Sequence, residues 1–441
     1  MRRLAPLLLL ATTTLATTTL ATTALAQERV AIRAARMLDV KEGRIVPRPT
    51  LLVEGGRIKA LQQPVPEGVC VIDLGDTTLL PGLVDAHTHL LQNYRSSVGG
   101  DGPNMILTVT ELGHAKRALL GVKLGMEMLE AGFTTVRDLG NSGTNGAVAL
   151  RDAVRSGWVS GPRIFAATRA LSPPGGQFDR IAPEAQSLIE LEYAIVDSVE
   201  DARRETRQAL YDGADWIKVI VDNATQMMPV EEVRAICEEA HRRGKKVAAH
   251  ATSDEAIGIS IEAGVDSIEH GYGATPELLK RMAEKKIALV PTDHPTSFYL
   301  TMYNFRPDDD AEWVRRTTEG VQSFAEANAK RLSEARKAGV RIIAGADQYF
   351  QFSNQPRGQS SLGMFRAYAL AGMTPLEIIR SATIHSAQFL AGEKAPFGSL
   401  ESGKFADIIA VPGDPLQNLT ALERVSFVMK GGKVIKGRDC R

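Results

Sequence analysis

Six side chains of this 441-residue chain carry its strongest chemical signal. They are His87 and His89 in LVDAHTH, Lys218 in DWIKVIV, His250 in KVAAHAT, His270 in SIEHGYG and Asp347 in RIIAGADQ. Each stands at or near the end of a short apolar run that reads as a β-strand. One histidine at a strand end is usually a hydrogen-bonded structural residue. Four imidazoles, a carboxylate and a lysine at a series of strand ends instead make a ligand set for two divalent metal ions, with zinc the expected metal.

The spacing adds detail. His87 and His89 are two residues apart on a strand, so both point to the same face and can share one ion. Lys218 sits inside the apolar run WIKVIV. Burying an ammonium there costs several kcal/mol, and burial lowers a lysine pKa. The neutral amine can react with carbon dioxide, and the resulting carbamate is an anionic bridge between two cations. The chemistry implied is metal-assisted hydrolysis. Lys218 serves it as the bridging ligand, and Asp347 takes a proton from the attacking water and passes it to the leaving amine.

These residues need a scaffold that brings strand ends together. Strands are expected at 83–89, 134–140, 163–170, 216–222, 246–251, 266–270, 287–292 and 341–346. Between most of them lie helical stretches such as DARRETRQALYDG and PVEEVRAICEEAHRRG, several closed by glycine. Eight alternations predict a (β/α)₈ TIM barrel over 81–395, within the α/β class. Asp347 would then end the last strand, beside the first. Thr374, Pro375 and Glu377 predict a capped helix after it. Residues 27–80 and 396–441 read as short strands and hairpins, turned at Gly55-Gly56 and Gly431-Gly432. The two ends are expected to build one small β-sandwich. Long excursions at about 91–112, 171–195, 293–320 and 348–362 would surround the active-site face.

Composition excludes other classes. Lys plus Arg number 52 and Asp plus Glu 52, without basic blocks, so no nucleic-acid surface is expected. Residues 1–26 combine a basic start, an apolar Ala/Leu/Thr stretch and Ala24-Leu25-Ala26, the pattern of a secretory signal peptide. The mature protein is therefore expected to be exported, periplasmic or secreted, with no membrane segment. Cys70, Cys237 and Cys440 are an odd, widely spaced trio that does not read as a disulfide framework, with Cys237 a core residue. GxSxG is absent. GSLESGKF nearly spells a phosphate loop, but Phe405 replaces the required hydroxyl residue.

The motifs PGLVDAHTH at 81–89, TTVRDLG at 134–140, Lys218, AAHA at 248–251, SIEHG at 267–271, GAD at 345–347 and GSLESGKFADIIAV at 398–411 together resemble the amidohydrolase superfamily. Within it the chain is similar to the imidazolonepropionase-like and prolidase-like metal-dependent peptidases, and to bacterial amidohydrolases that degrade ochratoxin A. The resemblance covers nearly everything after the signal peptide. It implies that His87, His89 and Asp347 hold one metal, that His250 and His270 hold the other, and that carboxylated Lys218 bridges them. It also implies a homo-oligomer, an octamer. Those relatives often carry Gly-Gly-His after the third strand, whereas this chain has Gly175-Gly176-Gln177.

The expected reaction is cleavage of an amide joining an acyl or aryl group to a C-terminal amino acid, ochratoxin A included. The substrate is a small molecule with a free carboxylate, which calls for a cation or a cluster of donors. His294 is the first candidate contact, followed by Arg137, Tyr272 and Gln348. Arg137 reads equally well as a structural ion pair with Asp138 or another barrel carboxylate. His114, His241 and His385 lie on helical segments and read as structural. A cyclic-amide hydrolase or a lactonase could use the same metals. A non-catalytic barrel would be expected to have lost some ligands, and all six are present.

Overall fold

The computed structural model describes residues 29–95, 105–178, 180–303, 305–352 and 355–440. The expected signal peptide lies outside them. Among the described residues no helix is long and apolar enough to cross a membrane.

The middle of the chain is a mixed α/β arrangement of parallel strands and covering helices. Its strands are buried on both faces, as parallel sheets flanked by helices require; every residue of Leu83–Thr88, Phe133–Asp138 and Trp216–Ile220 is buried. The helices start where the sequence supplies a side-chain acceptor for a free amide. Ser198 caps Val199–Tyr211, Ser253 caps Asp254–Ala263 and Thr275 caps Pro276–Glu284. Thr374 and Glu377 form the expected reciprocal capping box at Pro375–Ser381.

The parallel strands fall into two sheets. One has the order Arg163–Ala166, Phe133–Asp138, Leu83–Thr88. The other runs Tyr193–Ile195, Ala170–Ser172, Trp216–Ile220, Lys246–Ala251, Ser267–His270, Ala288–Val290. Two expected strands differ from expectation. The third, 163–170, is divided, and its halves belong to different sheets. Asp215 joins the sheets there: its amide donates to Ala166 O at 2.7 Å, and its carboxylate accepts from Ala166 N at 3.1 Å. The eighth, 341–346, is not a regular strand. Ile342 makes an isolated parallel bridge to Leu289, and Asp347 N donates to His87 O at 2.8 Å. The amides of Ala344 and Ala346 go elsewhere, to Ser381 O and to the Asp85 carboxylate, so a continuous ladder does not form.

Both termini contribute to a six-stranded sheet, ordered Lys433–Lys436, Phe427–Lys430, Ile408–Pro412, Thr77–Pro81, Arg36–Asp39, Arg44–Pro47. A four-stranded sheet of Arg57–Leu61, Thr50–Glu54, Arg29–Arg33 and Cys70–Asp73 shares an apolar core with it, including Ile32, Leu51, Ile58, Leu79, Phe427 and Met429. The hairpin at 431–432 has both glycines at positive φ, 54° and 81°. That conformation suits the twist of a two-residue turn and strains other residues.

The cysteine expectation is corrected here. Cys70 and Cys440 form a disulfide, with their Cα atoms 6.2 Å apart across a sequence separation of 370. The edge strand Cys70–Asp73 is thereby tied to the chain end. Cys237 is free and buried, as expected of a core residue.

Candidate metal centre and its cavity

His87, His89, Lys218, His250, His270 and Asp347 line a single cavity of about 360 Å³. The sequence scatters them, and parallel strands ending on one side gather them. His87 and His89 come from and just beyond Leu83–Thr88, Lys218 from Trp216–Ile220, His250 from Lys246–Ala251 and His270 from the end of Ser267–His270. Backbone strain marks these ends. His270, Thr292 and Asp347 adopt positive φ values of 67°, 56° and 48°, a conformation that non-glycine residues keep only where their surroundings impose it.

The hydrogen bonds decide which ring nitrogens face inward. His87 Nδ1 lies 2.8 Å from Glu269 Oε2, His89 Nδ1 is 2.8 Å from Gly140 O, and His270 Nδ1 is 2.8 Å from Thr292 Oγ1. The pure acceptors on Nδ1 of His87 and His89 place the proton there and leave the Nε2 lone pair free, which is how metal-binding histidines are commonly oriented. The Nε2 atoms of His89 and His87 then stand 3.1 Å and 3.5 Å from Asp347 Oδ1. That oxygen is buried and has no well-formed hydrogen bond. Lone pairs converging on a carboxylate oxygen repel one another unless a cation or proton sits between them. His87, His89 and Asp347 offer ligand atoms all within 4.8 Å of one another, so this donor set fits a divalent ion. The His270 ring lies 5.2 Å from that of His87 and 4.5 Å from that of His250.

The electrostatics follow from burial and close charges. Burial pulls the Lys218 ammonium down to about 8, with Arg137 adding to the shift and Glu269 and Asp347 opposing it. Burial and Lys218 lower His87 to about 4, so its imidazole is neutral at pH 7. Burial alone would raise Asp347, yet His87, His89 and Lys218 hold it at about 2.

Of the expected substrate contacts, Tyr272 lines the cavity, with its hydroxyl 3.3 Å from Thr292 Oγ1. Arg137, His294 and Gln348 do not line it. Arg137 is fully buried and committed: its guanidinium binds both Glu269 oxygens at 2.8 and 3.0 Å and Ala86 O at 2.5 Å, and stacks 4.5 Å from the Trp216 ring centre. The ion-pair reading holds for it, with Glu269 as partner. His294 stacks on Phe298 at 3.6 Å, and its Nε2 is 2.6 Å from Ala346 O. It props the backbone just before Asp347. Gln348 Nε2 donates to Phe350 O at 3.1 Å. Gln177 of the Gly-Gly-Gln segment does face the centre, with its Nε2 3.4 Å from His250 Nδ1 and its Oε1 accepting from Tyr193 at 3.1 Å.

Two supporting carboxylates were missed by sequence reasoning. Glu269 joins His87 to Arg137 and also accepts from Ser267 Oγ at 2.6 Å. Asp85 accepts from the amides of His87 and Ala346, both at 3.0 Å, and burial pushes its carboxyl up to about 7. The available signal was the one that singled out Lys218, a charged residue inside an apolar strand.

This arrangement defines a hydrolase-type centre at parallel strand ends. The chain belongs to the Amidohydrolase family, whose model matches residues 78–435. It is 31% identical to an ochratoxinase of Aspergillus niger over 390 residues, which is 81% of this chain and 76% of that protein. Among solved structures it is similar to a Xaa-Pro dipeptidase with methionine bound in its active site, with a TM-score of 0.78 and 31% identity over 93% of this chain and 100% of the other. The crystal structure of the A. niger ochratoxinase gives a TM-score of 0.77 at 27% identity, over 93% and 96% of the two chains. The chain is thus an amidohydrolase related to ochratoxinase and to prolidase-like hydrolases.

Proposed function

We propose that this protein is a metal-dependent hydrolase with a two-metal centre. It cleaves the amide bond between an acyl or aryl group and a C-terminal amino acid, and ochratoxin A is among its substrates. The observation that carries the reading is the convergence of His87 and His89 Nε2 on the buried Asp347 Oδ1, in a cavity that also holds His250, His270 and Lys218. His87, His89 and Asp347 would hold one ion and His250 and His270 the other, with Lys218 bridging as a carbamate. Such ions, when bound, supply Lewis acidity and lower the pKa of water. Asp347, ionised at neutral pH, would take a proton from the attacking water and deliver it to the leaving amine. Lys218, its amine brought toward neutrality by burial, suits carbamate formation.

The same reading extends to the frame. The two parallel sheets and the segment 341–347 are taken as one closed (β/α)₈ barrel spanning 81–395, and residues 27–80 and 396–441 as a β-sandwich. Export is supported by the Cys70–Cys440 disulfide, a bond that persists in oxidising compartments. An octameric assembly stays part of the proposal. The test is metal content together with rates on N-acyl amino acids that vary at the C-terminal residue, on ochratoxin A and on a simple lactone. About two divalent ions per chain, inactivation by chelator and preference for N-acyl-phenylalanine are expected. Full activity without metal, or a lactone hydrolysed orders of magnitude faster, would overturn the reading.

A further inference from the structure

An N-acyl amino acid presents a carboxylate, yet among the described residues lining the cavity the sole lysine or arginine is Lys218, which the proposed function assigns to the metals. The carboxylate therefore needs neutral donors, and the cavity wall has two that are uncommitted, on Gln92 and Tyr94. Gln92 and Tyr94 line the cavity and are only 2% and 4% exposed. Gln92 Nε2 and Tyr94 Oη are buried and have no hydrogen-bond partner. A buried donor left unpaired forfeits the hydrogen bonds it made with water, a cost that a bound acceptor would remove.

The backbone around these side chains is firmly held. Arg357 donates to His89 O at 3.1 Å, to Gln92 O at 2.6 Å and to Asn93 Oδ1 at 3.2 Å. Tyr94 N donates to Tyr349 O at 2.8 Å, and the Tyr94 ring packs edge-on against Tyr349, 5.2 Å between centres. The segment is positioned by its main chain and its ring, and the polar ends of two side chains are left over. Burial keeps the Tyr94 phenol protonated, hence a donor, across the neutral range. Met105, Ile106 and Phe178 add apolar surface to the cavity lining, suited to an aromatic side chain on the same amino acid.

We propose that Gln92 Nε2 and Tyr94 Oη together bind the free α-carboxylate of the substrate's C-terminal amino acid, and so set the preference for free acids over capped ones. This rests on the reading of the protein as an N-acyl amino acid hydrolase. The test compares Tyr94→Phe, Gln92→Met and the double variant with wild-type, metal-replete enzyme on N-acetyl-phenylalanine and on its C-terminal carboxamide. Tyr94→Phe keeps the ring and Gln92→Met the side-chain length, and melting temperatures verify folding. A hydrogen bond to a charged group corresponds to roughly a tenfold to hundredfold change. Each single variant should raise KM for the free acid by that factor, with kcat falling far less and KM for the carboxamide little changed. An undiminished preference for the acid in folded variants would overturn the proposal while leaving the hydrolase reading intact. So would equal losses on both substrates, which would mark a structural role. A wild-type enzyme that hydrolyses no N-acyl amino acid would bring down both readings together.

Discussion

The candidate metal centre and the sheets built from the termini bury side chains equally well, for opposite reasons. Between the terminal sheets, Ile32, Leu51, Ile58, Leu79 and Phe427 are all essentially inaccessible, and their burial is the source of stability. At the strand ends the inaccessible groups are His87, Arg137 and Glu269, with Asp85 below them. Moving such groups out of water costs free energy that pairing recovers only in part. One region thus stores stability, and the other holds charges in strained backbone for a ligand to complete. Substitutions should accordingly act on different observables in the two places.

The largest expected effect is at Lys218. Lys218→Ala should abolish most hydrolysis while leaving the fold intact, because it removes the proposed bridge. Partial rescue by a small carboxylic acid would support the carbamate, and wild-type kinetics would refute it. Asp347→Asn comes next. Asparagine still offers an oxygen to a cation but accepts no proton, so kcat should fall by roughly 10²–10⁴ while metal content is largely kept. A variant within a few-fold of wild type would assign proton transfer elsewhere.

Phe427→Ala should do the reverse. Its side chain is completely buried between the terminal sheets, and truncation there should cost about 3–5 kcal/mol of stability with kcat unchanged in the protein that remains folded. Denaturant unfolding alongside kinetics would read both, and a variant that loses kcat instead of stability would dissolve the contrast. The smallest effect is expected at the chain end. Cys440→Ser opens the disulfide to Cys70 and should lower stability by about 2–4 kcal/mol, with the centre unaffected. No change in stability would mean that the two edges stay together without the bond.

Much of the centre was legible because its residues break local rules. A lysine in WIKVIV, paired histidines in LVDAHTH and an aspartate after RIIAGA are polar residues where an apolar strand should continue, and such violations concentrate at functional sites. Arg137 broke the rule too, but its neighbour Asp138, the partner that the sequence suggests first, is not the one it pairs with. Glu269 lies 132 residues away, on a strand of the other parallel sheet, and only the tertiary fold makes them neighbours. His294 has the chemistry of a substrate contact, yet it stacks on Phe298 and is not among the residues that line the cavity. Side-chain direction past a strand end depends on a turn that the residue types do not specify.

The sequence by itself determined the period of the elements, the helix caps at Ser198, Ser253, Thr275 and Thr374, the glycine turns of the terminal hairpins and the identity of the six polar residues at strand ends. All of these depend on interactions within a few residues or on residue type alone. Tertiary structure decided the division of strand 163–170 at Asp215, the diversion of the Ala344 and Ala346 amides, the pairing of Cys70 with Cys440 and the unpartnered donors of Gln92 and Tyr94. Each of these depends on which distant group arrives within about 3 Å for hydrogen bonding or within disulfide reach, and pattern and propensity carry no record of that distance.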